Sequence, residues 1–118
     1  MVIPFYKCNA NNNKFIIIIH SEIQGKFKLT SSNVKKACND FDNEIVDGLL
    51  ILNINSKFEI NYYNNDGTWE TFCLNGLRCC AKIINKITHK NKFNIICNKK
   101  KYNCKILKND NVKVFLEE

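Results

Sequence analysis

Cys73-Leu74-Asn75-Gly76 is the stretch of this chain best suited to chemistry. A helical pattern opens at its end. A thiol just ahead of a helix start faces unpaired backbone N–H groups and the positive end of the helix dipole, and both favour a thiolate. The same N–H groups can bind a carboxylate. A thiolate beside an anion-binding helix end is a base placed to pull a proton from the carbon next to that carboxylate. A plainer reading also fits: a buried cysteine ahead of an ordinary capped helix.

The other cysteines offer less. There are seven in all, Cys8, Cys38, Cys73, Cys79, Cys80, Cys97 and Cys104. A disulfide framework favours an even count in a secreted chain. Metal sites want paired thiolates at spacings such as Cys-x2-Cys, and no such pair occurs. Apart from Cys73 they read as small reduced core residues. His20 and His89 stand alone and read as surface or strand-end residues.

The elements that must position Cys73 follow from periodicity. Val2 to Lys7 reads as a first strand with Pro4 at an edge position, Cys8 to Asn13 as a polar loop, and Phe15–Ile19 as a strand. Ser31 or Ser32 caps a helix whose apolar positions are Val34, Ala37, Cys38 and Phe41. Asp47-Gly48 marks a turn before Leu49 to Ile54, a continuous apolar strand buried on both faces. Phe58 to Tyr63 alternates and runs into Asn64-Asn65-Asp66-Gly67, the strongest tight-turn signal. Thr68 to Phe72 returns as a short strand. A helix then covers about Leu77 to Ile87, with Asn75 as its N-cap. Its polar residues Arg78, Lys82, Asn85 and Lys86 form a narrow stripe, so protein must surround most of it. Three strands close the chain: Phe93–Cys97, Tyr102–Leu107 and Val112–Leu116. The expected class is α+β, a curved, barrel-like sheet wrapped around a central helix.

Length and composition bound the rest. The 118 residues fit one domain over 1–118. At 45% apolar the chain can build a core. No apolar run approaches the ~20 residues that span a bilayer. No secretory pattern opens the sequence, so a soluble cytoplasmic protein without membrane contact is expected. The net charge of +7 invites a nucleic-acid reading. Yet 17 of the 18 basic residues are Lys and one is Arg78, in a chain also crowded with Asn and Ile. Adenine- and thymine-rich codons supply those residues, and a phosphate-reading surface would use Arg forks with interleaved aromatics. Lys99 to Lys101, the only basic triplet, falls at an expected hairpin turn. No nucleic-acid partner is expected.

The run Asn64-Asn65-Asp66-Gly67-Thr68, followed after a few residues by Cys73-Leu74-Asn75-Gly76-Leu77-Arg78-Cys79, resembles the first active-site block of diaminopimelate epimerases, Phe-Asn-x-Asp-Gly-Ser and then Cys-Gly-Asn-Gly-x-Arg-Cys. Phe5 to Phe15 stands in the place of the family's Phe-x-Lys-x-His-Gly-x-Gly-Asn-Asp-Phe. Asp47-Gly48-Leu49-Leu50 resembles a third element, and Val112-Lys113-Val114 the strand closing the family's first half. The resemblance implies one half of a two-domain fold and a cofactor-independent epimerase that interconverts LL- and meso-diaminopimelate. Two cysteines on opposite faces of the α-carbon do the chemistry, one taking a proton as thiolate while the other delivers one as thiol. Carried over, Cys73 is one acid/base, Asn13 and Asn64 contact substrate, and Leu74, Asn75 and Gly76 form the anion-binding turn. Asp66-Gly67 holds Asn64 in place, and Arg78 has no catalytic role.

The chain departs from that pattern in places. Leu74 replaces a glycine, which costs on the order of 1–2 kcal/mol if the turn needs φ above zero there. Ala10 and Asn12 replace glycines, and Asn12 is the milder change because Asn enters left-handed conformations more readily. Lys14 stands in place of an acidic residue. The glycines expected before Asp47 are missing, with Asn43, Glu44 and Ile45 in their place. The second catalytic cysteine has no counterpart here, so a complementary half-domain or a homo-oligomer is implied. Three functions therefore compete: half of a diaminopimelate epimerase, active or decayed; a related racemase or isomerase of the same fold; and a small basic nucleic-acid-binding module.

Overall fold

The computed structural model describes residues 5–23, 28–39 and 44–116. Eight strands form a mixed, curled sheet: β1 Tyr6–Ala10, β2 Asn13–Ile19, β3 Gly48–Asn53, β4 Glu59–Asn64, β5 Trp69–Glu70, β6 Lys92–Cys97, β7 Lys100–Ile106 and β8 Val112–Phe115. They run in the order β1-β2-β3-β4-β6-β7-β8, with β5 paired to β4. The pairs β2–β3 and β4–β6 are parallel and the rest antiparallel. Among the described residues three helices complete it: α1 His20–Ile23, α2 Ser31–Asn39 and α3 Leu74–Thr88. The sheet curls as a half-barrel around α3, which touches β1 and β2 on one side and β7 and β8 on the other. This is the α+β architecture expected from the sequence.

The apolar run Phe15–Ile19 is explained by its two faces. Phe15, Ile17 and Ile19 point to the concave side, where they meet Leu50, Leu52, Ile60, Leu77, Ala81 and Ile84. Ile16 and Ile18 point to the convex side and pack with Leu49, Ile51, Val34 and Cys38, the last two from α2. A strand buried on both faces cannot alternate. Leu49 to Leu52 on β3 is buried throughout for the same reason, as expected. On β4 only Ile60 and Tyr62 turn inward, which gives the alternation read from the sequence.

Local chemistry sets the boundaries, and several differ from expectation. β1 runs to Ala10, so Cys8 to Asn13 is mostly strand and hairpin rather than loop; Val2 to Pro4 lie outside the described residues. Asn11 and Asn12 make a two-residue turn with φ of 50° and 69°, the left-handed region Asn tolerates. Thr30, not Ser31 or Ser32, caps α2: its Oγ1 accepts from the Asn33 N–H at 3.1 Å. Phe41, the last apolar position expected on that helix, lies outside the described residues. The returning strand expected over Thr68 to Phe72 shrinks to Trp69–Glu70.

Candidate functional site

Helix α3 starts one turn earlier than the periodicity indicates. Cys73, not Asn75, is its N-cap, with extended backbone (φ −145°, ψ 108°). Its Sγ accepts from the Gly76 N–H at 3.4 Å, and its carbonyl accepts the first intrahelical bond, from Leu77 N–H at 2.9 Å. A thiol thus takes the part usually played by a Ser or Asp oxygen. Helix geometry leaves the Leu74 and Asn75 N–H groups without intrahelical partners. Leu74 is the first helical residue and is not among the positive-φ residues, so the strain that replacing a glycine there would carry does not arise.

Asn75 reaches sideways. Its Nδ2 donates to Asn13 Oδ1 at 2.7 Å, and its Oδ1 accepts from Asn11 Nδ2 at 3.2 Å. The β1–β2 hairpin is thereby fastened to the start of α3. Four of the expected site residues, Asn13, Leu74, Asn75 and Gly76, therefore gather at the helix turn that Cys73 caps. Asn11 is an addition that the sequence did not single out, since its signal is only its place one residue before Asn12 in the hairpin.

Asn64 is placed at the same end of the sheet by register. Phe15, Gly48 and Asn64 lie in one row across β2, β3 and β4. Its side chain engages its own turn, donating to Thr68 Oγ1 at 3.1 Å, rather than Cys73 or Asn13. Asp66 supports that turn by accepting from the Thr68 N–H at 2.9 Å and its hydroxyl at 2.6 Å. Gly67 has φ of +90°, and a Cβ there would lie 2.9 Å from the Ser31 carbonyl carbon. Gly48 is held to glycine by close approach: a Cβ would come within 2.8 Å of the Tyr62 hydroxyl. That phenol is pushed up to about 12 by burial first and then by negative charge at Cys73 and Asp47, so it stays a neutral O–H beside the site.

The charge that Lys14 brings is taken up outside the site. Lys14 and Lys7 both pair with Glu44, Lys7 at 2.7 Å. Their hydrogen bonds hold the Glu44 carboxyl at about 2. The Lys14 N–H also donates to Asp47 Oδ2 at 2.8 Å, and the Asp47 N–H to the Lys14 carbonyl at 2.8 Å.

The cysteines divide differently from expectation. Cys8 and Cys79 form a disulfide linking β1 to α3, so these two are not free core thiols. Their separation of 71 residues gives no local signal. Cys38, Cys80, Cys97 and Cys104 are free and buried, as expected, and burial pushes each thiol up, to about 11 for Cys38, Cys97 and Cys104. Cys73 alone among the five free thiols is only half-buried. Separately, a groove of about 620 Å³ lies between the sheet's two edge strands, β1 and β8, over Arg78, Cys79 and Lys82. Cys73 does not line it.

No family model matches the chain. A diaminopimelate epimerase of Rickettsia bellii (strain OSU 85-389) is 28% identical over 119 residues, covering 95% of this chain and 42% of its own length. That of Buchnera aphidicola subsp. Baizongia pistaciae is 31% identical over 116 residues, covering 93% and 40%. That of Campylobacter jejuni subsp. doylei is 34% identical over 92 residues, covering 76% and 34%. The chain thus resembles diaminopimelate epimerases over most of its own length and spans about two fifths of theirs. Among solved structures, a phenazine biosynthesis PhzC/PhzF protein from Clostridium difficile superposes with a TM-score of 0.67 at 10% identity, covering 92% of this chain and 42% of that one. A PhzF-family protein of Enterococcus faecalis gives 0.67 at 8% identity with the same coverage. Those two establish a shared fold.

Proposed function

We propose that this chain, a relative of diaminopimelate epimerases across two fifths of their length, is a single domain over 1–118 that supplies one half of an epimerase site. Cys73 is its acid/base. As thiolate it takes the proton from the α-carbon of LL-diaminopimelate: the C–H bond breaks, an S–H bond forms, and the electron pair stays on carbon beside the carboxylate. A second thiol, from a complementary half or a second copy of this chain, delivers a proton to the opposite face and yields meso-diaminopimelate. In the reverse direction the two sulfurs exchange roles.

The groups around Cys73 divide the remaining work. The Gly76 N–H gives a charged sulfur a donor. The N–H groups of Leu74 and Asn75, pointing out of the helix start, carry the substrate carboxylate and the charge that spreads onto it as the proton leaves. Asn13 and Asn64, at the ends of β2 and β4, flank that space as substrate contacts. No cofactor is needed in this scheme. We place the reaction in the cytoplasm, within lysine and cell-wall precursor synthesis.

The observation that carries this reading is the capping geometry: the one half-exposed free sulfur sits on the N-terminus of α3, beside the Asn75–Asn13 bond. The test is to combine the chain with a second, Cys-Gly-Ser-Gly-bearing half and follow deuterium entry from D2O at the α-carbon of diaminopimelate. Exchange that depends on Cys73 is expected. Exchange of equal rate with Cys73→Ala would remove Cys73 from the mechanism.

A further inference from the structure

The scheme above makes no use of the Cys8–Cys79 disulfide. Its two ends differ in access: Cys8 is half-buried on the edge strand β1, while Cys79 is 2% exposed on α3. Both line the groove between β1 and β8. Among the described residues, the charged ones lining that groove are Arg78, Lys82 and Lys113. The Arg78 Nε is buried and has no hydrogen-bond partner among the described residues. The more accessible end of the disulfide therefore lies in a groove whose charged lining, among the described residues, is cationic.

We propose that Cys8–Cys79 is a thiol–disulfide exchange site for a small anionic thiol of the glutathione class, and that its state governs how firmly the β1–β2 hairpin is held. The thiolate attacks Cys8 Sγ, the S–S bond breaks with its electron pair on Cys79 Sγ, and Cys79 takes a proton from water in the groove. A second thiolate attacks the small-molecule sulfur of the mixed disulfide, releasing Cys8 as thiolate and the oxidised small disulfide. Two thiols are oxidised and the protein disulfide is reduced to two thiols; the oxidised small disulfide drives the reverse. Attack falls on Cys8 because Cys79 is covered. The anionic thiol is favoured because Arg78, Lys82 and Lys113 line the groove it enters and the Arg78 Nε has no hydrogen-bond partner among the described residues.

The consequence reaches the hairpin. Cys8 lies on β1 three residues before Asn11, whose side chain bonds Asn75. With the crosslink closed, the hairpin is fixed to α3 covalently through Cys8 and by the two Asn75 bonds. With it open, only the hydrogen bonds and the apolar packing of β1 remain. This inference rests on the crosslink and the groove and holds whether or not the chain is an epimerase half.

The test uses the oxidised 118-residue chain with glutathione and, separately, cationic cysteamine, each rate normalised to the same thiol's attack on free cystine. Trapping and mass mapping should find the mixed disulfide on Cys8, with glutathione leading cysteamine by roughly tenfold at low salt. That lead should shrink with added salt and in Lys82→Gln. Amide exchange over residues 9–12 should rise about tenfold or more on reduction, and Cys8→Ser should match the reduced chain without added thiol. Adducts on Cys79, no adduct at all, a cysteamine rate equal to or above that of glutathione, or unchanged amide exchange over 9–12 would each overturn the proposal.

Discussion

Two hairpin turns of this molecule have the same backbone and opposite fates. Asn11-Asn12 joins β1 to β2 with φ of 50° and 69°, and Asn98-Lys99 joins β6 to β7 with φ of 50° and 67°. Both close two-residue loops, between Ala10 and Asn13 and between Cys97 and Lys100. The paired left-handed residues match the right-handed twist of the flanking strands, so local geometry alone accounts for each turn. The first is tied to α3 by the Asn75 side chain and, three residues back, by Cys8–Cys79. The second carries exposed lysines at the outer end of its hairpin. The backbone makes a turn, and what it is fastened to makes it part of a site.

That contrast can be pressed from the tied side first. Once the chain is combined with the second half that the proposal requires, Cys73→Ala should lower α-proton exchange by about 10²–10⁴-fold, the usual share of a positioned acid/base. No substitution at the Asn98-Lys99 turn should move that rate. Asn75→Ala strips the fastening, leaving Asn11 and Asn13 without their partner, and should cost about 1–2 kcal/mol in denaturant unfolding. A loss no larger than that of an exposed surface alanine would mean that the two turns are equally free.

The untied side gives a smaller effect of opposite sign. Lys99 holds a left-handed conformation that its Cβ disfavours, so Lys99→Gly should stabilise the chain by about 1 kcal/mol without altering activity. Asn12→Gly should change stability little, because Asn already tolerates that region.

Acid tests the strap beside the tied turn. The Glu44 carboxyl sits at about 2, held down chiefly by Lys14 and then Lys7. A carboxylate lowered on folding stabilises fully above its unfolded value of ~4.3, and that support fades as pH falls through about 2. Stability curves of the chain and of Glu44→Gln should therefore differ above about pH 4.5 and converge toward pH 2. The difference should be small, since Glu44 is only half-buried and its two lysines are open to solvent, which screens the pairs.

Much of this was legible in the sequence because it is local. Asn64-Asn65-Asp66-Gly67 announced its turn, the alternation of β4 its buried face, and the narrow polar stripe of Arg78, Lys82, Asn85 and Lys86 the engulfed α3. Cys73 stood out by its place before a helix start. What escaped depends on contacts between distant segments. Asn75 has the residue type of an N-cap, but its side chain finds Asn13, 62 residues away, and Cys73 caps in its stead. Cys8 and Cys79 are 71 residues apart and meet only because β1 lies along α3. Lys14 stands where the family pattern has an acidic residue, and Glu44, which takes up its charge, belongs to a different segment.

The central claim is that Cys73 is the one free sulfur of this chain presented for reaction. Limiting iodoacetamide on the native 118-residue chain, with the modified residues mapped by mass spectrometry, tests it most directly. Labelling that begins at Cys73 and leaves Cys38, Cys80, Cys97 and Cys104 untouched until the chain is denatured is the predicted result. Labelling that begins at any of those four, or spreads evenly over all five, would contradict it.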